Sequence, residues 1–440
     1  MKKSLFYSIA LLTAIAIVCA CEDQHAGDKP AADTITVSDA FATPFSAPAA
    51  GVIVDNVTVE ANKAWTSTVS NEFVTLSPTS GEAGTTTISV TIAENTDFDI
   101  RTADVTFTCG TAEVTVTVEQ AAKTITDLSA SATANCYVVP AAGTYKIKTV
   151  KGNSTESVGE VASAELVWSH SIFGGLNAVV TSDITYGDGY ISFTTTGTDG
   201  NALIAAKDAS GTILWSWHIW AIAEVPEIQL GTFTAQAYAL GYTAWPSNDA
   251  YSWGLLYQWG RKDPFRFNWA APTDPADAFT TGVTISEALN EGTSLAYSIA
   301  HPTHFITGTD TTYDWYAAEA ANMNNSLWST TKTIYDPCPA GYIVPSADLF
   351  AAIDASNITF EVTDVRHAMV YNNNDWYYSG SVEYNKTDAW SGWAYSGGWF
   401  WSNTIPEGSN FATSAYILGA LDPAKNWYRG TAMAVRCVKE

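Results

Sequence analysis

Three groups of residues in this 440-residue sequence could do chemistry: two late cysteines, a histidine pair and a run of aromatics. Cys338 stands between Pro337 and Pro339 in Tyr335-Asp-Pro-Cys-Pro-Ala-Gly-Tyr-Ile-Val-Pro-Ser346. Each proline fixes its own φ and disfavours helix in the residue before it, so the stretch reads as a rigid loop. Pro345-Ser346 then suits the cap of a short helix with Leu349, Phe350 and Ile353 on its apolar face. A thiol held in such a loop is either reactive or half of a disulfide. Its natural partner is Cys437, which shares a strand face with Met433 and Val435. Cys109 alternates with Val105 and Phe107 and is expected to pack, and Cys136 falls in another predicted domain. The expected Cys338–Cys437 bond closes a loop of roughly 100 residues, worth about 4–5 kcal/mol in the chain-entropy model.

The histidines offer less. His301-Pro-Thr-His304 lacks the glutamate of a helical zinc motif, and Pro302 spoils the helix that would align the rings. No Cys-x-x-Cys spacing occurs among the last four cysteines, no Gly-x-Ser-x-Gly elbow is present, and no motif singles out a carboxylate pair. No catalytic residue and no metal site is therefore expected. Binding is the better prospect. Trp376, Tyr377, Tyr378, Trp390 and Trp393 are interleaved with Ser, Gly and Asn, a composition that stacks on sugar rings while hydrogen-bonding their hydroxyls. These five are the expected glycan contacts. Trp399 and Trp401 share parity and are expected in the core. Asn372-Asn-Asn-Asp375 could supply oxygen ligands to calcium, although four polar residues between aromatics also make an ordinary loop tip. No cofactor is expected.

The elements that must position these residues are mainly strands. Between residues 34 and 122, Ile88, Val90 and Ile92 alternate with polar residues, as do Val105, Phe107 and Cys109, then Val114, Val116 and Val118. Period-2 runs broken by turn residues predict about seven short strands and an immunoglobulin-like sandwich. A second such sandwich is expected over 123–225, where Ile213, Trp215, Trp217 and Ile219 share one strand face and Leu214, His218 and Trp220 the other. A strand apolar on both sides is central or covered by a neighbour. His218 on it is expected as a hydrogen-bonded core histidine. From 226 to 440 the alternation gives way to long loops, and 12 of the 17 tryptophans gather there. One helix is expected around Ser294–Ala300, stopped by His301-Pro302.

The net charge of −25 excludes nucleic-acid binding, which needs cations to replace phosphate counterions, and docking on anionic lipid through a basic patch. Met1-Lys-Lys3 followed by the apolar run Leu5–Ala20 is too short for a membrane span and reads as a signal peptide over 1–20. It ends in Val18-Cys-Ala-Cys21, which resembles the bacterial lipobox; the resemblance implies cleavage before Cys21 and acylation of that residue. Glu22-Asp23 resembles the export signal of surface lipoproteins in Bacteroidetes, so 21–33 is expected as a flexible tether at the outer membrane.

Two further resemblances follow. Asn62-Lys-Ala-Trp65, Phe73 to Gly81, Ile88-Ser-Val, Asn95, Arg101 and Val118-Glu-Gln120 resemble the BACON domain, named for suspected carbohydrate binding. That implies a sandwich, with Trp65 either core or sugar contact. Leu256-Tyr-Gln-Trp-Gly260, Asp336 to Ser346, Gly398-Trp-Phe-Trp-Ser402 and Val435-Arg-Cys-Val438 resemble the Fibrobacter-type major paralogous domain, although Tyr342-Ile343 replaces the more usual Trp-Arg. This resemblance implies an α+β, C-type-lectin-like fold over 226–440. The whole is thus expected as a mainly β, multidomain lipoprotein, two sandwiches holding a lectin-like domain out to bind glycan. The alternative is a fimbria-associated adhesin that binds a protein partner.

Overall fold

The computed structural model describes residues 31–440 apart from 98, 172–174, 177–178, 181–183, 244–253, 266–283, 288–292, 310–311, 363–366, 372–373, 378–381, 384–390 and 393–396. The chain divides after Thr124 into two compact units. The fold is mainly β, with two α-helices among the described residues, Thr293–Ala300 and Ala347–Ala351.

The first unit is a β-sandwich. One sheet orders Ile35–Val37, Val52–Ala61, Gly84–Ile92 and Val74–Ser77; the other orders Phe45–Ala47, Ala112–Gln120, Arg101–Cys109, Trp65–Val69 and Ser80–Gly81. The alternating residues supply its core: Val57, Val59, Ile88 and Val90 from one sheet meet Trp65, Val105, Phe107 and Val118 from the other. Cys109 is buried with a free thiol. The polar residues of the same stretch act as pegs. Gln120 Nε2 donates to Pro48 O at 3.0 Å and Ala93 O at 2.8 Å, while its Oε1 accepts from Arg101 Nε at 2.8 Å. Asn95 Nδ2 donates to Asp99 O and Ala121 O. Trp65 is buried, packs on Phe107 and donates weakly from Nε1 to Thr86 Oγ1 at 3.4 Å, so it is a core residue and not a sugar contact.

The second unit begins with another two-sheet arrangement. Ile125–Asp127, Gly143–Lys148, Tyr190–Thr195 and Thr185–Gly187 face Cys136–Val139, Ile213–Ala221, Gly200–Lys207, Ser163–Ser171 and Gly175–Leu176. Tyr145, Ile147, Ile191 and Phe193 of the first sheet pack with Ile204, Trp215 and Trp217 of the second. The expected boundary at 225/226 does not separate two compact units. The strand Ile213–Ala221 is apolar on both faces, and its other face sends Trp220 into a core built with Tyr257, Trp259, Trp401, Cys338 and Cys437. Burying that face requires the C-terminal residues, so one core of this unit is built from both sides of residue 225.

Within that interior His218 Nε2 lies 2.8 Å from Asn201 Oδ1 and Nδ1 lies 3.5 Å from Tyr257 Oη. The neutral ring therefore donates at Nε2 and accepts at Nδ1. Burial pushes its pKa down to about 3. Below the unfolded value of about 6.5 the unfolded chain binds a proton that the folded chain refuses, so stability is lost as pH falls toward 3, by up to about 1.4 kcal/mol per pH unit. Urea unfolding of wild type and His218→Gln across pH 7 to 5 should show a shallower decline for the variant. Equal slopes would assign the acid sensitivity elsewhere.

The C-terminal residues add a four-stranded sheet (Glu227–Leu230, Phe233–Gln236, Val438–Lys439, Tyr342–Ile343) and a seven-stranded one. The latter runs Ser391–Gly392, Val382–Glu383, Ala432–Ala434, Gly398–Trp401, Phe411–Ile417, Leu421–Tyr428, with Leu256–Gln258 also on Ala432–Ala434. Cys338 and Cys437 form a disulfide with Cα atoms 5.9 Å apart, tying the proline-flanked loop to the chain just before its last strand. Asp336, buried, pins the same loop: its carboxylate accepts from Cys338 N and Val344 N, each at 2.9 Å, and from Lys332 Nζ at 2.7 Å. The helix Ala347–Ala351 follows Ser346, whose hydroxyl turns to Asp348 Oδ2 instead of capping the backbone.

Candidate binding surface

Of the five expected glycan contacts, one is placed in full. Trp376 lies opposite Met369 in the three-stranded sheet Ile358–Val362, His367–Tyr371, Asn374–Tyr377 and is fully buried. Its ring packs edge-on against Phe350 and Phe400, and the Arg436 guanidinium sits 3.7 Å from its centroid. Trp376 is thus corrected to a core residue: strand alternation turns it inward, beside Phe350 of the short helix. Tyr377 ends the same strand opposite Ala368, its side chain outside the described set. Tyr378, Trp390, Trp393, Asn372, Asn373 and Cys21 also lie outside the described residues. Among the described residues no three His, Cys, Asp or Glu side chains are grouped to hold a metal ion.

Much of the tryptophan wealth of this unit is structural. Indole N–H groups cross-tie its loops: Trp259 donates to Ser402 O at 2.9 Å, Trp401 to Tyr257 O at 2.9 Å, Trp315 to Trp259 O at 2.7 Å and Trp328 to Tyr335 O at 3.0 Å. Each satisfies a backbone carbonyl while filling the core around it. The histidine pair is similar. The rings of His301 and His304 stack 4.7 Å apart, Tyr297 Oη meets His304 Nδ1 at 2.7 Å, and Arg261 Nη1 donates to His304 O.

A different aromatic group is only half covered. It lies on the hairpin Phe411–Ile417 and Leu421–Tyr428 at the edge of the seven-stranded sheet. Trp399 pairs opposite Tyr416, with rings 4.2 Å apart, and Trp427 closes on Trp399 at 4.7 Å. Tyr416 and Trp427 are half-buried, and Lys425 Nζ lies 6.0 Å from the Trp427 ring. Gly397 permits this approach. At φ +154°, a side chain there would place its Cβ 2.6 Å from the Tyr416 ring. Phe411 and Tyr428 pair opposite each other at 5.1 Å, and Tyr313 adds a third half-buried ring 4.3 Å from Tyr428. Beneath them Asp314 and Arg429 form a buried pair at 3.8 Å, where burial pushes Asp314 up to about 6. Two buried hydroxyls tie the two strands: Thr413 Oγ1 donates to Asn426 Oδ1 at 3.3 Å, and Ser414 Oγ to Lys425 O at 3.0 Å.

Sequence reasoning passed over this hairpin because its aromatics are dispersed. Trp427-Tyr428 stands alone in the sequence, and only strand pairing brings it to Phe411, Tyr416 and Trp399. The available signal was the alternation of Leu421, Pro423, Lys425 and Trp427 with the exposed Asp422, Ala424 and Asn426.

A second feature of this unit is a groove of about 490 Å³ with a mixed polar and apolar lining. It is walled by the turn after Asp127, the segment Lys148–Thr155, the Lys332 stretch and the Cys338 loop at Gly341.

No curated protein matches the sequence. Among solved structures, a Bacteroides ovatus GH5 xyloglucanase in complex with a XXXG heptasaccharide is 20% identical, with 23% of each chain covered and a TM-score of 0.19. Domains 4 and 5 of the S-layer protein SbsC are 20% identical over 20% of this chain and 51% of theirs, at a TM-score of 0.16. The D0-D1 domain of intimin is 15% identical over 43% and 96%, at a TM-score of 0.15. The chain thus spans about a quarter of the xyloglucanase and about half of the S-layer fragment. Residues 63–121, most of the first sandwich, match the BACON family, described as "Putative binding domain, N-terminal".

Proposed function

We propose that the chain is a non-catalytic glycan-binding protein, held on the outer membrane by acyl groups on Cys21 and displayed at the cell surface. The first sandwich serves as a spacer, since its tryptophan is buried and its motif polar residues tie its own loops. The C-terminal residues, read as C-type-lectin-like, take the ligand. The observation that supports this best is the pair of half-buried rings Tyr416 and Trp427, which close on the buried Trp399. Half-exposed aromatic rings suit a pyranose, whose C–H face stacks on them. Tyr377, Tyr378, Trp390 and Trp393 belong to the same proposal as further contacts.

A glycan array probed with the chain from residue 31 onward tests the reading. Binding should appear for wild type and fall at least about 10-fold for Trp427→Ala, since a stacked tryptophan commonly carries about 2 kcal/mol. Replacing Trp390 and Trp393 together by Ala should weaken binding if they join the site. An empty array, with a protein partner co-purifying instead, would favour the fimbria-associated adhesin.

A further inference from the structure

The groove beside the Cys338 loop has the makings of a second site, of different chemistry from the aromatic hairpin. Its walls are fixed by hydrogen bonds between segments far apart in sequence. Asn153 Nδ2 donates to Thr333 O at 2.7 Å and Asp336 O at 3.1 Å, and Thr133 Oγ1 to Ser154 O at 2.7 Å. Lys148 N donates to Ser129 Oγ at 2.9 Å, and Glu440 N to Gly341 O at 3.0 Å. The disulfide anchors the Gly341 side through Cys338. A cleft so held needs little ordering on binding.

The groups lining it sort into two sets. Lys332 is committed to the structure: its ammonium donates to Asp336 Oδ1, to Cys338 O at 3.0 Å and to Tyr342 O. Lys148 is not. Among the described residues its ammonium has no ion pair, whereas Lys151, Lys207 and Lys439 each meet a carboxylate. The hydroxyls of Ser131, Thr155 and Thr331 and the side chain of Glu440 are likewise without side-chain partners among the described residues. No aromatic residue lines the groove, so recognition there would run through charge and hydrogen bonds and not through stacking.

We infer that this groove binds a small hydroxylated carboxylate, a sugar acid of one or two rings, its carboxylate on Lys148 and its hydroxyls on Ser131, Thr155, Thr331 and Glu440. The volume falls within the roughly 300–1,000 Å³ of small-molecule sites. The groove stands apart from the hairpin and does not rest on the hairpin's function.

Titration calorimetry of the chain from residue 31 with digalacturonic acid tests this, with galactobiose as the neutral control. Heat should be seen with the acid only, and affinity should fall as salt is raised. Lys148→Met should weaken binding at least about 10-fold, Ser131→Trp should abolish it by filling the groove, and Trp427→Ala should leave it unchanged. Lys148 and Ser131 have no side-chain role in the fold, so both variants should keep the wild-type unfolding midpoint. No heat with the acid, equal heat with galactobiose, or undiminished binding by Lys148→Met would each overturn the assignment. Loss on Trp427→Ala would move the acid to the hairpin.

Discussion

Replacing Lys262 by Met should destabilise the chain by about 3–5 kcal/mol, more than any surface change. Lys262 and Asp263 are 3% and 4% exposed, next to each other in the loop that follows Leu256–Gln258. The ammonium donates to both Asp263 oxygens at 2.6 and 2.8 Å, to Ser216 Oγ at 2.7 Å and to Ser216 O at 3.1 Å, and lies 4.5 Å from the Trp215 ring centroid. Burial pushes its pKa down to about 8, against the pull of Asp263. With Met in place the carboxylate keeps one protein donor, the Ser216 hydroxyl at 2.7 Å, and loses its directly bonded counter-ion, leaving only the more distant charge of Arg261. Because Ser216 belongs to the strand Ile213–Ala221, the pair also rivets the first sheets of this unit to its C-terminal residues. Urea midpoints would measure the loss. The double variant Lys262→Met, Asp263→Leu should recover part of it, since apolar residues often replace a buried ion pair at little cost. A single variant within about 1 kcal/mol of wild type would mean that water reaches Asp263.

Removing the disulfide through Cys338→Ala and Cys437→Ala should lower stability by about 4–5 kcal/mol in the chain-entropy model. The bond joins residues 99 apart in sequence, and its absence frees much of the C-terminal residues in the unfolded chain. The folded loop should keep its place without the bond, since the Asp336 carboxylate keeps its three contacts to Cys338 N, Val344 N and Lys332. Thiol labelling of the denatured, non-reduced chain from residue 31 checks the premise: two of its four cysteines, Cys109 and Cys136, should react. Four reacting thiols would show no bond.

The parts of the fold legible in the sequence were those with a short period. Ile88, Val90, Ile92 and their counterparts alternate, and a strand paired on a sandwich buries every second residue, so the first unit could be read almost residue by residue. The strand Ile213–Ala221 was equally legible as apolar on both sides. What covers its second face was not, because those residues are scattered from Leu240 to Cys437 over loops and very short strands with no common period. The aromatic block misled for a related reason. Composition cannot tell a tryptophan that satisfies a buried backbone carbonyl, as Trp259 and Trp401 do, from one that meets solvent. Trp376 sat among Asn, Tyr and Ser and was still turned into the core by its strand. The groove could not be read at all, being made of four segments that meet only in the folded chain.

The most direct test of the account is calorimetric titration of an array-positive glycan into wild type, Trp427→Ala and the groove-filled Ser131→Trp variant. Ser131→Trp should keep wild-type affinity, and Trp427→Ala should lose about 30-fold, equivalent to about 2 kcal/mol at a ring contact covered by ligand. Undiminished affinity in Trp427→Ala, with its fold intact, would contradict the assignment of the hairpin as the glycan site.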